Sequence, residues 1–197
     1  MIDGWPTGVE NDVAPLRALQ DTDTLFVLDT VTSLAGIPVA VDEWGVDACY
    51  SGTQKCLGVP PGLSPVTFSD RALARVRSRA RPPQSWYLDL GLIADYVAGA
   101  SRVYHHTAPV SMVFALHAAL GAVLDEGLEA VWERHRAVGA QLQQALPELG
   151  FRLLAEEGRR LPQLTSVWLP DGVDDATLRK ALLAEYGIEV GAGLGQF

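Results

Sequence analysis

The chain is nearly free of lysine, because only Lys55 and Lys180 among its 197 residues carry a side-chain amine. Lys55 lies in a stretch of small and polar residues, SGTQKCLGVPPG at positions 51–62. A desolvated lysine can lose its proton and attack a carbonyl, whereas arginine stays protonated. Lys55 is therefore the first candidate nucleophile. A general replacement of lysine by arginine would also leave one amine by chance, so the assignment depends on chemical partners.

Asp29 is the first such partner. It ends the apolar run DTLFVLD (23–29), which is typical of a buried parallel strand. A second run at 48–51 leads to Lys55 after a short turn. Ligands of open α/β sheets bind at the carboxyl ends of the strands, so both groups are expected to face one crevice. The alternative for Asp29 is a role as a helix cap or turn residue.

An acid and an amine in one crevice suit pyridoxal phosphate. Lys55 would hold the aldehyde as a Schiff base, and Asp29 would keep the ring nitrogen protonated so that the ring can accept carbanion electrons. The sequence therefore predicts pyridoxal 5'-phosphate as the cofactor.

Several motifs in this chain resemble one enzyme family. They are VLDTVTSLAG (27–36), VDEWGVD (41–47), YSGTQK (50–55), PPG (60–62) and YHHT (104–107). In this order they are similar to those of the class V pyridoxal-phosphate-dependent aminotransferases, in the alanine–glyoxylate and serine–pyruvate (serine–glyoxylate) group. The resemblance extends from Thr7 onward. It implies an α/β fold of fold type I, with part of a large mixed-sheet cofactor domain and part of a small α+β C-terminal domain.

The resemblance also implies roles for individual residues. Lys55 would bind the cofactor and move a proton between the substrate and the cofactor. Asp29 would pair with the ring nitrogen, Val31 would pack on the ring, and Gln54 would bond the phosphate. The implied reaction moves the amino group of alanine or serine to glyoxylate or pyruvate.

Tyr104 and Thr107 would reach the phosphate of a neighbouring subunit's cofactor, which implies a homodimer with shared sites. Pro109 suggests a helix start just after Thr107, where free amides favour a phosphate. His105 and His106 are expected to satisfy backbone groups, with a catalytic role as the alternative.

The chain departs from the family pattern at both ends. The stretch before Thr7 lacks the small hydroxyl residue that binds phosphate in the family. The family's upstream phosphate loop and stacking aromatic are expected to be missing. The family's carboxylate-binding arginine falls beyond Phe197. The expectation is a fragment of a transaminase, and the alternative function is a catalytically incomplete chain that folds or dimerises without turnover.

Composition limits the partners. The net charge of −9 with 48% apolar and 20% charged residues indicates a globular protein and argues against nucleic acid. One basic stretch is expected to be the solvated face of a helix capped by Ser69. Its members are Arg71, Arg75, Arg77, Arg79 and Arg81.

No apolar run is long enough for a membrane span and no signal peptide is evident, so a cytoplasmic location without membrane contact is expected. Cys49 and Cys56 are expected to be packing residues beside the cofactor, with a nucleophilic role as the alternative and no metal site.

Hydrophobic periodicity predicts the order of the elements. Strands are expected near 25–28, 37–41, 48–51 and 65–68, and helices over 69–79, 90–98 and 110–125, the last with its apolar positions mostly in the core. A hinge helix over 128–145 follows, then strands near 151–154 and 164–169 and a helix from Asp174 to Gly187. The predicted domains are 1–126 and 127–197.

Overall fold

A computed structural model describes residues 3–4, 7–98 and 103–193. From residue 27 onward its elements follow the predicted order, except at the predicted strand 37–41. They are β1 (Asp3–Gly4), β2 (Val9–Glu10), a 3₁₀ helix (Ala14–Asp21), β3 (Val27–Asp29), β4 (Ala48–Tyr50), β5 (Val66–Phe68), α1 (Asp70–Arg77), α2 (Leu90–Ala98), α3 (Val110–Glu126), α4 (Leu128–Glu148), β6 (Arg152–Leu153), β7 (Val167–Trp168) and α5 (Asp175–Tyr186).

The central sheet is mixed, with the strand order β3–β4–β5. Strand β3 runs parallel to β4, and β5 runs antiparallel to β4. Register in the parallel pair places Asp29 opposite Tyr50. The end of β3, which carries Asp29, and the end of β4, which leads to Lys55, are therefore neighbours at one edge of this sheet.

The predicted strand at 37–41 is wrong. Ile37 forms only an isolated bridge with Leu34, and the following residues turn. Backbone bonds here are local, because Trp44 N donates to Ala40 O and Val46 N donates to Val41 O. Pro38 also lacks the N–H that a sheet ladder requires.

The structure describes two apolar clusters of buried residues. The first combines Phe26 and Leu28 of the sheet region with Val13, Ile37, Cys49 and Leu161. The second joins Ala35, Leu57 and Val59 to the α3 side chains Met112, Ala115, Leu116 and Ala119. Both clusters support the segments that follow β3 and β4.

The helix ends follow the expected capping chemistry. The Ser69 hydroxyl accepts from Ala72 N at 3.1 Å, and the Asp174 carboxylate accepts from Thr177 N at 2.9 Å. Gly187 ends α5 with a φ of +67°, which a glycine adopts without strain. These caps confirm the predicted start of α1 and both predicted ends of α5. The helix predicted to reach residue 79 ends at Arg77, so Arg79 and Arg81 lie beyond α1.

Gly127, with a φ of +88°, separates α3 from α4 at a bend of 84°. The predicted domain boundary at 126/127 coincides with this bend and stays a prediction. Leu161, from the second predicted domain, is fully buried in the cluster that contains Phe26 and Leu28.

The prediction that the apolar positions of α3 lie mostly in the core is wrong. Phe114 is 72% exposed and Leu124 is 71% exposed, and Val113 and Leu120 are also exposed. Only the face with Met112 and Leu116 packs, against the second cluster. Within the described ranges no single helix is long and apolar enough to cross a membrane; α3 and α4 meet the length and composition criteria only as a bent pair.

Candidate active site

The carboxyl ends of β3 and β4 are tied together just beyond their last paired residues. Thr30 donates its N–H and its hydroxyl to Tyr50 O, at 2.9 Å and 3.0 Å. The Ser51 hydroxyl donates to Thr30 O at 2.9 Å. Both side chains are buried, with 0% and 2% exposure. Because buried hydroxyls with satisfied bonds hold one arrangement, the spacing between Asp29 and the following turn is fixed.

Asp29 lies half-buried at the end of β3. Its Oδ1 accepts the Val31 N–H at 2.9 Å, and its Oδ2 accepts the Tyr50 hydroxyl at 2.8 Å. The Asx-type bond to Val31 is the turn role that the sequence left open for Asp29. A carboxylate has about four acceptor sites, so these two bonds leave capacity for a ligand.

Lys55 is half-buried in the turn after β4. Gly58 N donates to Lys55 O at 2.9 Å, and Val59 N donates to Thr53 O at 3.0 Å. Leu57 and Val59, at 7% and 4% exposure, anchor this turn under α3. The structure thus brings Lys55 and Asp29 to the same edge of the sheet.

Gln54 is exposed beside Lys55, and its side chain lies across Gly52. A Cβ at Gly52 would lie 2.6 Å from the Gln54 Oε1, so the glycine leaves room for this position of the Gln54 side chain. Val31 is half-buried directly after Asp29 and Thr30. Both positions agree with a shared site, and their contacts with a cofactor stay predictions.

Tyr104 and Thr107 form a pair of hydroxyls 2.6 Å apart on the surface. Tyr104 is 70% exposed, and Thr107 is exposed as well. One O–H proton joins the two oxygens, which leaves the other O–H to donate outward. The predicted helix start at position 110 is confirmed, but Pro109 is the N-cap of α3, so Thr107 lies two residues before the cap.

His105 has the backbone role that the sequence favoured. It is 3% exposed, its ring stacks on Trp86 with centroids 4.2 Å apart, and its Nε2 lies 3.1 Å from Trp86 O. Because a carbonyl only accepts, this nitrogen donates. Its Nδ1 lies 2.7 Å from the His106 Nδ1. The pair therefore fixes the loop that presents Tyr104 and Thr107.

The structure corrects one further sequence expectation and supports another. Arg71 is not part of a solvated face, since its guanidinium binds the buried Asp47 carboxylate. Cys49 is buried, and burial raises the pKa of its thiol, an effect to which the nearby Asp29 charge adds. A thiol held protonated is a poor nucleophile, which supports the packing role of Cys49.

Tyr50 is the site residue that sequence reasoning missed. Tyr50 belongs to the YSGTQK motif, and the parallel pairing of the two strands places it opposite Asp29. The register was the signal that could have identified it.

These residues fit pyridoxal phosphate. The chemistry requires an amine for the aldehyde, an acid for the ring nitrogen and donors for the phosphate. Lys55 and Asp29 supply the first two at one sheet edge, and the Asp29 oxygens retain acceptor capacity. Tyr104 and Thr107 offer hydroxyl donors on an exposed surface.

Comparison with known proteins gives consistent relatives. The chain is 40% identical over 174 residues to alanine–glyoxylate aminotransferase of Oryctolagus cuniculus, covering 87% of this chain and 44% of that protein. It is 36% identical over 205 residues to (S)-ureidoglycine–glyoxylate transaminase of Bacillus subtilis (strain 168), covering 93% and 49%. The chain thus spans about half the length of the curated relatives it matches.

The solved structure of alanine–glyoxylate aminotransferase from Nostoc sp. superposes with a TM-score of 0.90 at 43% identity, covering 96% of this chain and 50% of that one. The expected fold class, an α/β fold of fold type I, is confirmed by this similarity. The family description "Aminotransferase class-V" matches residues 6–195. The chain therefore belongs to the class V aminotransferase family.

Proposed function

We propose that the protein containing this chain is a pyridoxal-phosphate-dependent transaminase that moves the amino group of a small amino acid to a 2-oxo acid. The observation that carries the proposal is the parallel register of β3 and β4, which sets Asp29 beside the strand that leads to Lys55. An amine and an acid at one sheet edge are the two groups that this cofactor requires from a protein.

Each residue then has a specific task. When bound, pyridoxal phosphate supplies an aldehyde that condenses with amines and a ring that accepts electrons. Lys55 would hold the cofactor through that aldehyde, and once the amino group of the substrate displaces it, its freed amine would move the proton at the substrate Cα. Asp29 accepts the N–H of the ring, and Val31 packs against the ring. Gln54 donates its amide N–H to the phosphate.

The exposed Tyr104 and Thr107 hydroxyls bind the phosphate of a second subunit's cofactor. Their exposure supports this part of the proposal, because donors turned away from their own subunit are available to a neighbour. The functional unit would then be a homodimer. A cytoplasmic location, expected from the sequence, belongs to the same proposal.

Alanine or serine is the proposed amino donor, and glyoxylate or pyruvate the acceptor. The printed names of the rabbit and Nostoc relatives, both alanine–glyoxylate aminotransferases, support this choice. The name of the Bacillus relative specifies a different donor with the same acceptor. Product formation from each donor and acceptor pair would identify the substrates.

Covalent labelling tests the role of Lys55. The chain is mixed with pyridoxal phosphate, reduced with borohydride and mapped by peptide mass spectrometry. We expect the label on Lys55 and none in Lys55→Arg, because a guanidinium does not condense with the aldehyde. Lys180→Arg is the matched control, since Lys180 is the only other lysine, and it should keep the label. A label on Lys180, or an unlabelled chain, would contradict the assignment.

A further inference from the structure

We propose that Tyr50 is a positioning residue, whose hydroxyl orients the Asp29 carboxylate so that it accepts the N–H of the cofactor's ring. The inference rests on the proposed function and adds to it a residue that touches neither the substrate nor the aldehyde. It starts from one contact, the 2.8 Å hydrogen bond from the Tyr50 hydroxyl to the Asp29 Oδ2.

The strand register makes this contact possible. Asp29 and Tyr50 are paired residues of neighbouring parallel strands, so their side chains leave the sheet on the same face. The same two residues end their strands. Thr30 and Ser51 tie the backbones together one residue later, which sets the distance that the tyrosine ring spans.

The second hydrogen bond restricts the carboxylate. The terminal torsion of an aspartate is broad, and a single bond to one oxygen still allows the plane of the group to turn. Val31 N–H holds Oδ1 and Tyr50 holds Oδ2, so both oxygens are fixed in one plane. The remaining lone pairs then point in defined directions, which is the preorganisation that a directed ring contact requires.

Tyr50 is 41% exposed, so its hydroxyl stabilises the fold little. A phenylalanine retains the ring and removes only the donor. Tyr50→Phe should therefore leave folding intact and change the ring contact, which separates a positioning role from a structural one.

The test compares two ligands. Dissociation constants are measured for pyridoxal phosphate and for deazapyridoxal phosphate, which has carbon in place of the ring nitrogen, with the chain and three variants. The chain should prefer pyridoxal phosphate, and Asp29→Asn should lose that preference. Tyr50→Phe should reduce the preference about tenfold, equivalent to about 1.4 kcal/mol, with deaza binding unchanged. Tyr186→Phe, on α5 and 71% exposed, is the matched control and should keep the preference.

An unchanged preference in Tyr50→Phe would overturn the proposal, and so would an equal loss of affinity for both ligands. A chain without any preference contradicts the proposed ring contact of Asp29 instead. A crystal structure of Tyr50→Phe then tests the positioning directly. In that variant the Asp29 carboxylate should be rotated from its orientation in the parent chain. An unchanged orientation, held by the Val31 N–H alone, would refute the role of Tyr50.

Discussion

At the scale of single residues, Asp47 has the most densely bonded carboxylate that the structure describes outside the site. Its oxygens accept from the Arg71 guanidinium, from Phe26 N at 2.8 Å and from the Ser69 hydroxyl at 2.9 Å. The Arg71 hydrogen bond is the largest cause that lowers the pKa of Asp47, to about 2, with the Phe26 and Ser69 bonds adding to it. Through Arg71 and Ser69, this acid ties the start of α1 to the segment leading into β3.

Acid unfolding tests this assignment. The folded pKa lies below the ordinary value, so protons bind the unfolded chain first, and the contribution of Asp47 is present at neutral pH. It is lost as the pH falls from 3.8 towards about 2. Asp47→Asn should reduce the free energy of unfolding at pH 7 by roughly 1–2 kcal/mol, and by progressively less as the pH falls from 3.8 towards about 2.

Urea unfolding at a series of pH values measures this difference. Asp171→Asn, at an exposed turn, is the control and should follow the parent chain at every pH. A loss in Asp47→Asn that stays constant from pH 7 to about pH 2 would show that the missing carboxylate charge is not its cause.

At the scale of elements, α4 approaches the segment before β7 so closely that a glycine is required. A Cβ at Gly139 would lie 2.3 Å from the Pro162 carbonyl oxygen, which is backbone and has little freedom to move. The neighbouring Leu161 is fully buried with Phe26 and Leu28 under the central sheet. Gly139 therefore allows α4 to pack closely against the segment whose Leu161 is buried beside β3, the strand that carries Asp29.

A pair of glycine substitutions separates packing from helix propensity. Alanine is favoured over glycine within a helix by about 1 kcal/mol. Gly121→Ala on α3, where no atom lies within 4 Å of the new Cβ, should raise the urea midpoint. Gly139→Ala should lower it, by an equivalent of about 1–3 kcal/mol, because the clash outweighs the gain. A higher urea midpoint in both variants would show that the contact between α4 and the Pro162 carbonyl relaxes at little cost in free energy.

At the scale of the whole molecule, the chain exposes an apolar stripe on α3. Val113 and Leu124 are 47% and 71% exposed, and helical periodicity places them on one side of α3. Contiguous apolar surface of this kind marks a surface that another element or chain covers. In the proposed homodimer a second copy of this chain would cover the apolar stripe on α3, and further residues of a longer protein would be the alternative.

Sedimentation tests the homodimer. We expect the chain to have the mass of a dimer at micromolar concentration. The double variant Val113→Glu with Leu124→Glu should be a monomer with unchanged helix content, because charges buried in the interface oppose association. The double variant Val138→Glu with Leu142→Glu, on the exposed positions of α4, is the matched control and should keep the dimer. A monomeric parent chain, or equal effects of both double variants, would contradict a dimer through α3.

The sequence by itself determined the local features of this protein. Helical spacing predicted α2 and α4, and Ser69, Asp174 and Gly187 marked helix ends, because capping depends on residues three or four positions apart. The scarcity of lysine and a carboxylate at the end of an apolar run made Lys55 and Asp29 candidates without any structure, and the resemblance to the family implied their roles. Each of these inferences needs only short segments of the chain.

Tertiary structure decided what depends on distant pairs. The Tyr50–Asp29 bond requires the register of two strands joined by an intervening segment, and the Arg71–Asp47 pair joins residues 24 positions apart. The exposure of Leu124 also could not be read from periodicity, which gives the apolar face of a helix but not what covers it. Spacing along the chain fixes which face a side chain occupies, whereas only the packing of separate elements fixes which atoms meet it.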